Sequence, residues 1–148
     1  MLLFFLPKST IMNSNKFLLG GIAGGIVFFL LGYVFFGMLF KSFFDENGMA
    51  TNMDSFVWWA LIAGNLASGL LIAYILSKAN VSSVAGGASV AFVAGLLITL
   101  SYDLVMYGVG HGLSSMKALA ADVAISAVVA AIAGGVIGWV YGMGKKAA

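Results

Sequence analysis

Cysteine and arginine are absent from this chain of 148 residues, proline and histidine occur once each, and only 8% of its residues are charged. Without cysteine there is no disulfide, thiolate metal site, iron–sulfur ligation or cysteine nucleophile. Without arginine, the planar fork that holds phosphates and base edges at two points is missing. The net charge of +2 is too small to draw nucleic acid, so none is expected as a partner. No Ser–His–Asp grouping, His-E-x-x-H helix or glycine-rich phosphate loop is present either. The chain is therefore expected to have no catalytic residues, no cofactor and no enzymatic activity. The low charge also marks a class, because soluble domains carry roughly 25% charged residues.

What the chain has instead is apolar length. Hydrophobic residues make up 62% of it and the mean hydropathy is +1.10, which places it among integral membrane proteins. Four apolar runs cover residues 17–40, 56–76, 84–107 and 116–143. Each can cross a hydrocarbon core of about 30 Å at about 1.5 Å per helical residue. The expected fold is all-α, a four-helix transmembrane bundle running up-down-up-down with both termini on one side. One membrane domain is expected over residues 16–144, because the short connections leave no room for a soluble one. Residues 1–15 are expected to form a mobile N-terminal extension, with Met12 reading like a natural start just before the first span.

The connections are short and polar. In residues 41–55, Asp45, Glu46, Asn47 and Gly48 are expected to form a turn, and Asp54 or Ser55 to cap the second span. A calcium loop fails there, since Met49 stands where the fifth position needs an oxygen ligand. Residues 77–83 form a tight loop with serine caps.

Small residues at helical spacing predict where the helices meet. Gly20, Gly21, Gly24 and Gly25 give two overlapping G-x-x-x-G pairs in the first span. Gly64 belongs to a small-residue row of the second, and Asn65 beside it is expected to hydrogen-bond across to another helix, because an unpaired amide in lipid is costly. In the third span Gly87, Ala91, Gly95, Thr99, Asp103 and Tyr107 recur every four residues. In the fourth, Ala118, Asp122, Ser126, Ala130, Gly134, Gly138 and Gly142 do the same. Two such ridges can interlock, but each step of four turns about 40° around a 3.6-residue helix, so contact is expected over part of the length only.

Both rows are small at one end and polar at the other, and Asp103 and Asp122 lie nearly symmetrically about Gly112 and Leu113. In an antiparallel hairpin that puts them at one depth, roughly 7–10 Å inside the helix ends at about 1.5 Å per residue. Both should face the bundle, and two carboxylates brought close cannot both ionise cheaply. One expectation is structural, with Asp103 bonded to Tyr107 or Thr99 and Asp122 capping or pairing with Lys117. Another is a proton- or cation-handling site of Asp103 and Asp122 with Tyr107, Thr99, Ser126 and His111. No metal site is expected, because a single histidine between glycines reads as a loop residue.

Lysines set the orientation. Lys8, Lys16, Lys78, Lys145 and Lys146 fall on the side of the termini and Lys41 and Lys117 on the other, so the termini are expected in the cytoplasm.

The run Gly32-Tyr33-Val34-Phe35-Phe36-Gly37-Met38-Leu39-Phe40, the ending Leu104-Val105-Met106-Tyr107, and Asp122 followed by small residues to Gly134-Gly135-Val136-Ile137-Gly138 resemble an uncharacterised bacterial four-span membrane-protein family, known only as a domain of unknown function. The likeness spans residues 12–143. It implies the four-helix fold in a bacterial inner membrane and carries over no activity, cofactor or site residue. Small-residue rows against few polar groups make a structural or accessory subunit the first expectation, with the lipid bilayer as surroundings and a homo-oligomer or larger membrane complex as setting. The alternative is a small proton- or cation-coupled transporter using Asp103 and Asp122.

Overall fold

In the computed structural model, residues 13–48, 52–111 and 115–145 are described. The expected extension lies outside them up to residue 12, while Asn13 to Asn15 already belong to the first helix and its cap.

Among the described residues four helices are long and apolar enough to cross a membrane, which fits a multi-pass membrane protein. Such a chain must satisfy its backbone polar groups internally where lipid offers no partner, and helices do so. The first span is composite. Helix α1 (Ser14–Gly32) passes without a break into a π-helix, Tyr33–Leu39, which ends with the Phe40 amide donating to the Phe35 carbonyl at 2.8 Å. Helix α2 (Lys41–Glu46) follows, then a 3-10 turn (Met53–Ser55). The other spans are α3 (Trp58–Lys78), α4 (Val84–Gly108) and α5 (Met116–Gly142).

The ends have local causes. Asn13, Ser83 and Ser115 cap α1, α4 and α5 by accepting backbone N–H groups. Helices α3 and α4 stop in the same way. A left-handed residue, Asn80 (φ 54°) or Gly110 (φ 74°), lets the next amide return to the helix: Val81 to the Leu76 carbonyl, His111 to that of Met106. One expectation fails here. Asp54 and Ser55 do not cap the second span; they lie in the 3-10 turn capped by Asn52, and α3 begins after Val57 with no side-chain cap. The connection also begins with a helix rather than a turn, because Phe43 and Phe44 give α2 an apolar face. Phe44 is buried against Ala118 and Leu119 of α5 and meets Phe36 of the π-helix at 5.2 Å between ring centres.

Helix α5 is the centre. Half of its apolar stretch is buried within the chain, against 11% for α1 and α4. It packs on α4 along one side and on α1 along another, α1 carries α3, and α3 touches α4 only lightly. Helix α1 meets α3 and α5 in opposite chain directions. A Cβ at Gly21 or Gly25 would meet Leu70 or Leu66 of α3, and one at Gly20 or Gly24 would meet Tyr141 or Ile137 of α5. Lys16 Nζ donates to the Met143 carbonyl, so the start of α1 and the end of α5 lie together. Tyr141 closes this end, with its hydroxyl donating to the Ala73 carbonyl of α3 at 2.9 Å in a fully buried contact.

The α4–α5 seam is the closest of all. A Cβ on Gly87 would strike the Gly134 carbonyl, one on Gly138 the Ser83 carbonyl, and one on Gly95 the Ala130 side chain. Close approach of this kind runs from Ser82, just before α4, to Gly95 within it, and from Gly142 to Ala130 on α5, part of each row only. Gly64 takes no part in packing. It is exposed, with open space where a side chain would stand, so its place in a packing row is corrected.

Candidate functional site

Beyond Gly95 and Ala130 the two rows turn polar, and the helices carry side chains that face each other. Asp103, near the end of α4, is 4% exposed. It faces the carboxyl of Asp122 on α5, close enough for the two side chains to share a hydrogen bond. One turn further along α5, Ser126 Oγ donates to Asp122 Oδ1 at 3.1 Å. Asp103 Oδ2 is buried and has no hydrogen-bond partner. The symmetry of the hairpin sequence about its turn thus brings the two acids together, and the four-residue spacing adds Ser126 to them.

The other expected members stand apart. Tyr107 is 44% exposed, and His111, Lys117 and Tyr102 also face outward. None of them bonds either carboxyl among the described residues. The structural pairings expected for the acids, Asp103 with Tyr107 or Thr99 and Asp122 with Lys117, are therefore not made. Tyr107 and Lys117 are exposed on the outside of the helices, and Thr99 lines the cavity beside the seam instead. The ion pair found among the described residues, Lys41 with Asp45, lies within α2. No group of three or more metal-ligating side chains occurs among them.

A cavity of about 420 Å³ adjoins the carboxyl site where α3 and α4 fail to close. The α1 span contributes Phe28, Tyr33 and Phe36, and the α4–α5 seam contributes Gly95, Thr99 and Ser126. From α3 and the segment before it come Phe56, Trp58, Asn65 and Ser68. The cavity exists for a reason visible in the seam: glycine and alanine hold α4 against α5, but nothing of that size draws α4 toward α3. The π-helix widens the first span here, and π-turns within helices are frequent at functional sites.

Asn65 corrects another expectation. Its side-chain amide donates to the Leu61 carbonyl of its own helix at 2.7 Å rather than to another helix. Ser68 does the same to Gly64 at 3.0 Å. Sequence reasoning also missed Phe36, Trp58 and Ser68 as neighbours of one cavity. Trp58 has the look of a headgroup-level anchor, and nothing in a uniformly apolar run tells which ring turns inward.

The chain matches no protein-family model, no curated protein and no solved structure.

Proposed function

We propose that the chain is a small multi-pass membrane protein that handles a proton or a cation at the Asp103–Asp122 pair, with Ser126 linking the pair to the α3–α4 cavity. One observation carries this reading: a carboxyl 96% buried, facing a second carboxyl, with one oxygen unpartnered and no cationic side chain bonded to either. A buried acid kept for helix register alone would be expected to have its hydrogen bonds made, since a half-satisfied pair is worse for stability than an apolar contact. Intramembrane acids otherwise mark ion and proton paths. The glycine rows that recommend a subunit role are used within the chain, against its own helices.

The setting proposed with it is a bacterial inner membrane, with termini in the cytoplasm beside Lys16, Lys78 and Lys145 and with the carboxyl pair toward the outer face. No catalytic role is assigned. The test is reconstitution into liposomes with a trapped pH indicator. The protein should carry a cation-dependent proton flux that Asp103→Asn abolishes while the variant stays folded. No flux of protons, inorganic cations or lipophilic cations in the wild type sinks the proposal.

A structural or accessory role in a homo-oligomer or larger complex keeps one observation in its favour. Ala60, Ala63, Gly64 and Ala67 form an exposed small-residue face on α3. Cross-linking of the purified protein in lipid at several dilutions, with and without Gly64→Leu, separates this reading from the first: it requires an oligomer that the substitution disperses.

A further inference from the structure

The α3–α4 cavity opens sideways. Leu61, Leu71 and Ile98 belong to its wall and are also exposed on the outer surface of the spans, where lipid would lie. A molecule dissolved in the bilayer could enter between α3 and α4. The volume, about 420 Å³, suits a drug-sized body.

The polar side chains of the wall are all uncharged. Ser68 and Ser126 spend their single donors on the Gly64 carbonyl and Asp122 Oδ1, and Asn65 spends one of its two on the Leu61 carbonyl. What they still offer is one Asn65 N–H and several acceptors, the Asn65 carbonyl oxygen and the lone pairs of two hydroxyls. The direction of the Asn65 amide is fixed by its partner, because turning it over would set two carbonyl oxygens against each other. Thr99 adds a hydroxyl that can turn either way. No lysine or histidine lines the cavity, and the two carboxyls stand behind Ser126. The remaining wall is rich in aromatic rings, among them Phe28, Phe36, Phe56 and Trp58, whose faces attract cations.

We infer that this cavity binds a lipophilic organic amine in its protonated form, its apolar body among the rings and its ammonium on the acceptors that lead through Ser126 to the carboxyl pair. A lipid tail would leave those acceptors unpaired, and an anion would meet the carboxyl pair with no cationic side chain in the wall to hold it. This deepens the carboxyl-pair reading and rests on it, by naming the class of cation the pair would handle.

Three probes that share one body and differ in their head test it. Monodansylcadaverine carries an ammonium, its N-acetyl derivative is uncharged, and dansyl-6-aminohexanoic acid carries a carboxylate. Titrated against the wild-type protein in lipid nanodiscs and followed by dansyl fluorescence, the amine should bind about tenfold or more tightly than the acetylated probe, the scale of one charge-assisted hydrogen bond. The acid should show no saturable binding. Ser126→Ala should weaken the amine about tenfold and leave the acetylated probe unchanged. The inference is overturned if the acetylated probe binds as well as the amine, if no probe saturates, or if Ser126→Ala weakens both alike. Proton flux that Asp103→Asn abolishes, with no amine binding, removes this inference alone. Amine binding with flux indifferent to Asp103→Asn removes the proton-handling reading and leaves the cavity as a binding site.

Discussion

The α4–α5 seam has two halves built on one spacing, and they behave as opposites. From Ser82 and Gly142 to Gly95 and Ala130 the four-residue rows are small, the backbones touch, and no further atom fits. From Thr99 and Ser126 to Asp103 and Asp122 the same rows carry polar groups, one carboxyl oxygen is left without a partner, and a cavity lies alongside. The difference teaches how a chain with few polar residues can hold a polar site in a membrane. Close packing at one end fixes the helices firmly enough that the other end need not be packed or satisfied, and strain or open space there survives because the whole is over-determined.

Substitutions can break this contrast from either side. The largest effect should come from Gly87→Leu, which puts a side chain into the Gly134 carbonyl. A loss of about 3 kcal/mol is expected in reversible unfolding in mixed micelles, at the upper end for overpacked contacts. A variant as stable as the wild type would mean that the halves do not differ in packing. Asp103→Asn should act in the other direction. Its amide can donate to Asp122 and it relieves the pairing of a buried acid with a second acid, so the same assay should show stability unchanged or raised by about 1 kcal/mol. Marked destabilisation would make the pair a structural element like the glycine half.

Tyr141→Phe sharpens the account of the closed end. It deletes the hydroxyl bonded to the Ala73 carbonyl and leaves the ring in place, so about 1 kcal/mol should be lost, read as a lowered midpoint of unfolding. Gly64→Leu is the smallest. Its side chain enters open space, and stability should stay within about 0.5 kcal/mol of the wild type.

Much of the closed half was legible in the sequence. In a chain whose spans are apolar on every face, small residues at a spacing of four are the signal that survives, and Gly87, Gly95, Gly134 and Gly138 all sit in the seam they predict. The two acids were legible for a different reason: depth in a hairpin follows from counting residues to the turn. The open half was not. Whether Asn65 bonds across helices or along its own depends on how near the next helix comes, and α3 stands off from α4 for want of contacts that no local pattern encodes. The π-helix at Tyr33–Leu39 was hidden in an unbroken apolar run, since its residue types suit an α-helix equally well. Nothing in the sequence singles out Tyr141, because its bond to Ala73 is made with a helix far away in the chain. Tyr107 shares the neighbourhood of the acids along the chain but is exposed, and His111 lies beyond the end of α4.

The absence of cysteine allows the central contrast to be measured directly, because any thiol introduced is the sole thiol of the chain. Single Ser126→Cys and Ala133→Cys proteins in lipid nanodiscs would be treated with thiosulfonate reagents of similar size, one carrying an ammonium and one a sulfonate. Ala133 is fully buried in the glycine half, and Ser126 lines the cavity next to the carboxyl pair. The account predicts that the cysteine at 126 reacts with the cationic reagent much faster than with the anionic one, and that the cysteine at 133 reacts with neither. An inert thiol at 126, or one that takes both reagents alike, would contradict a cation-accepting site in the open half of the seam.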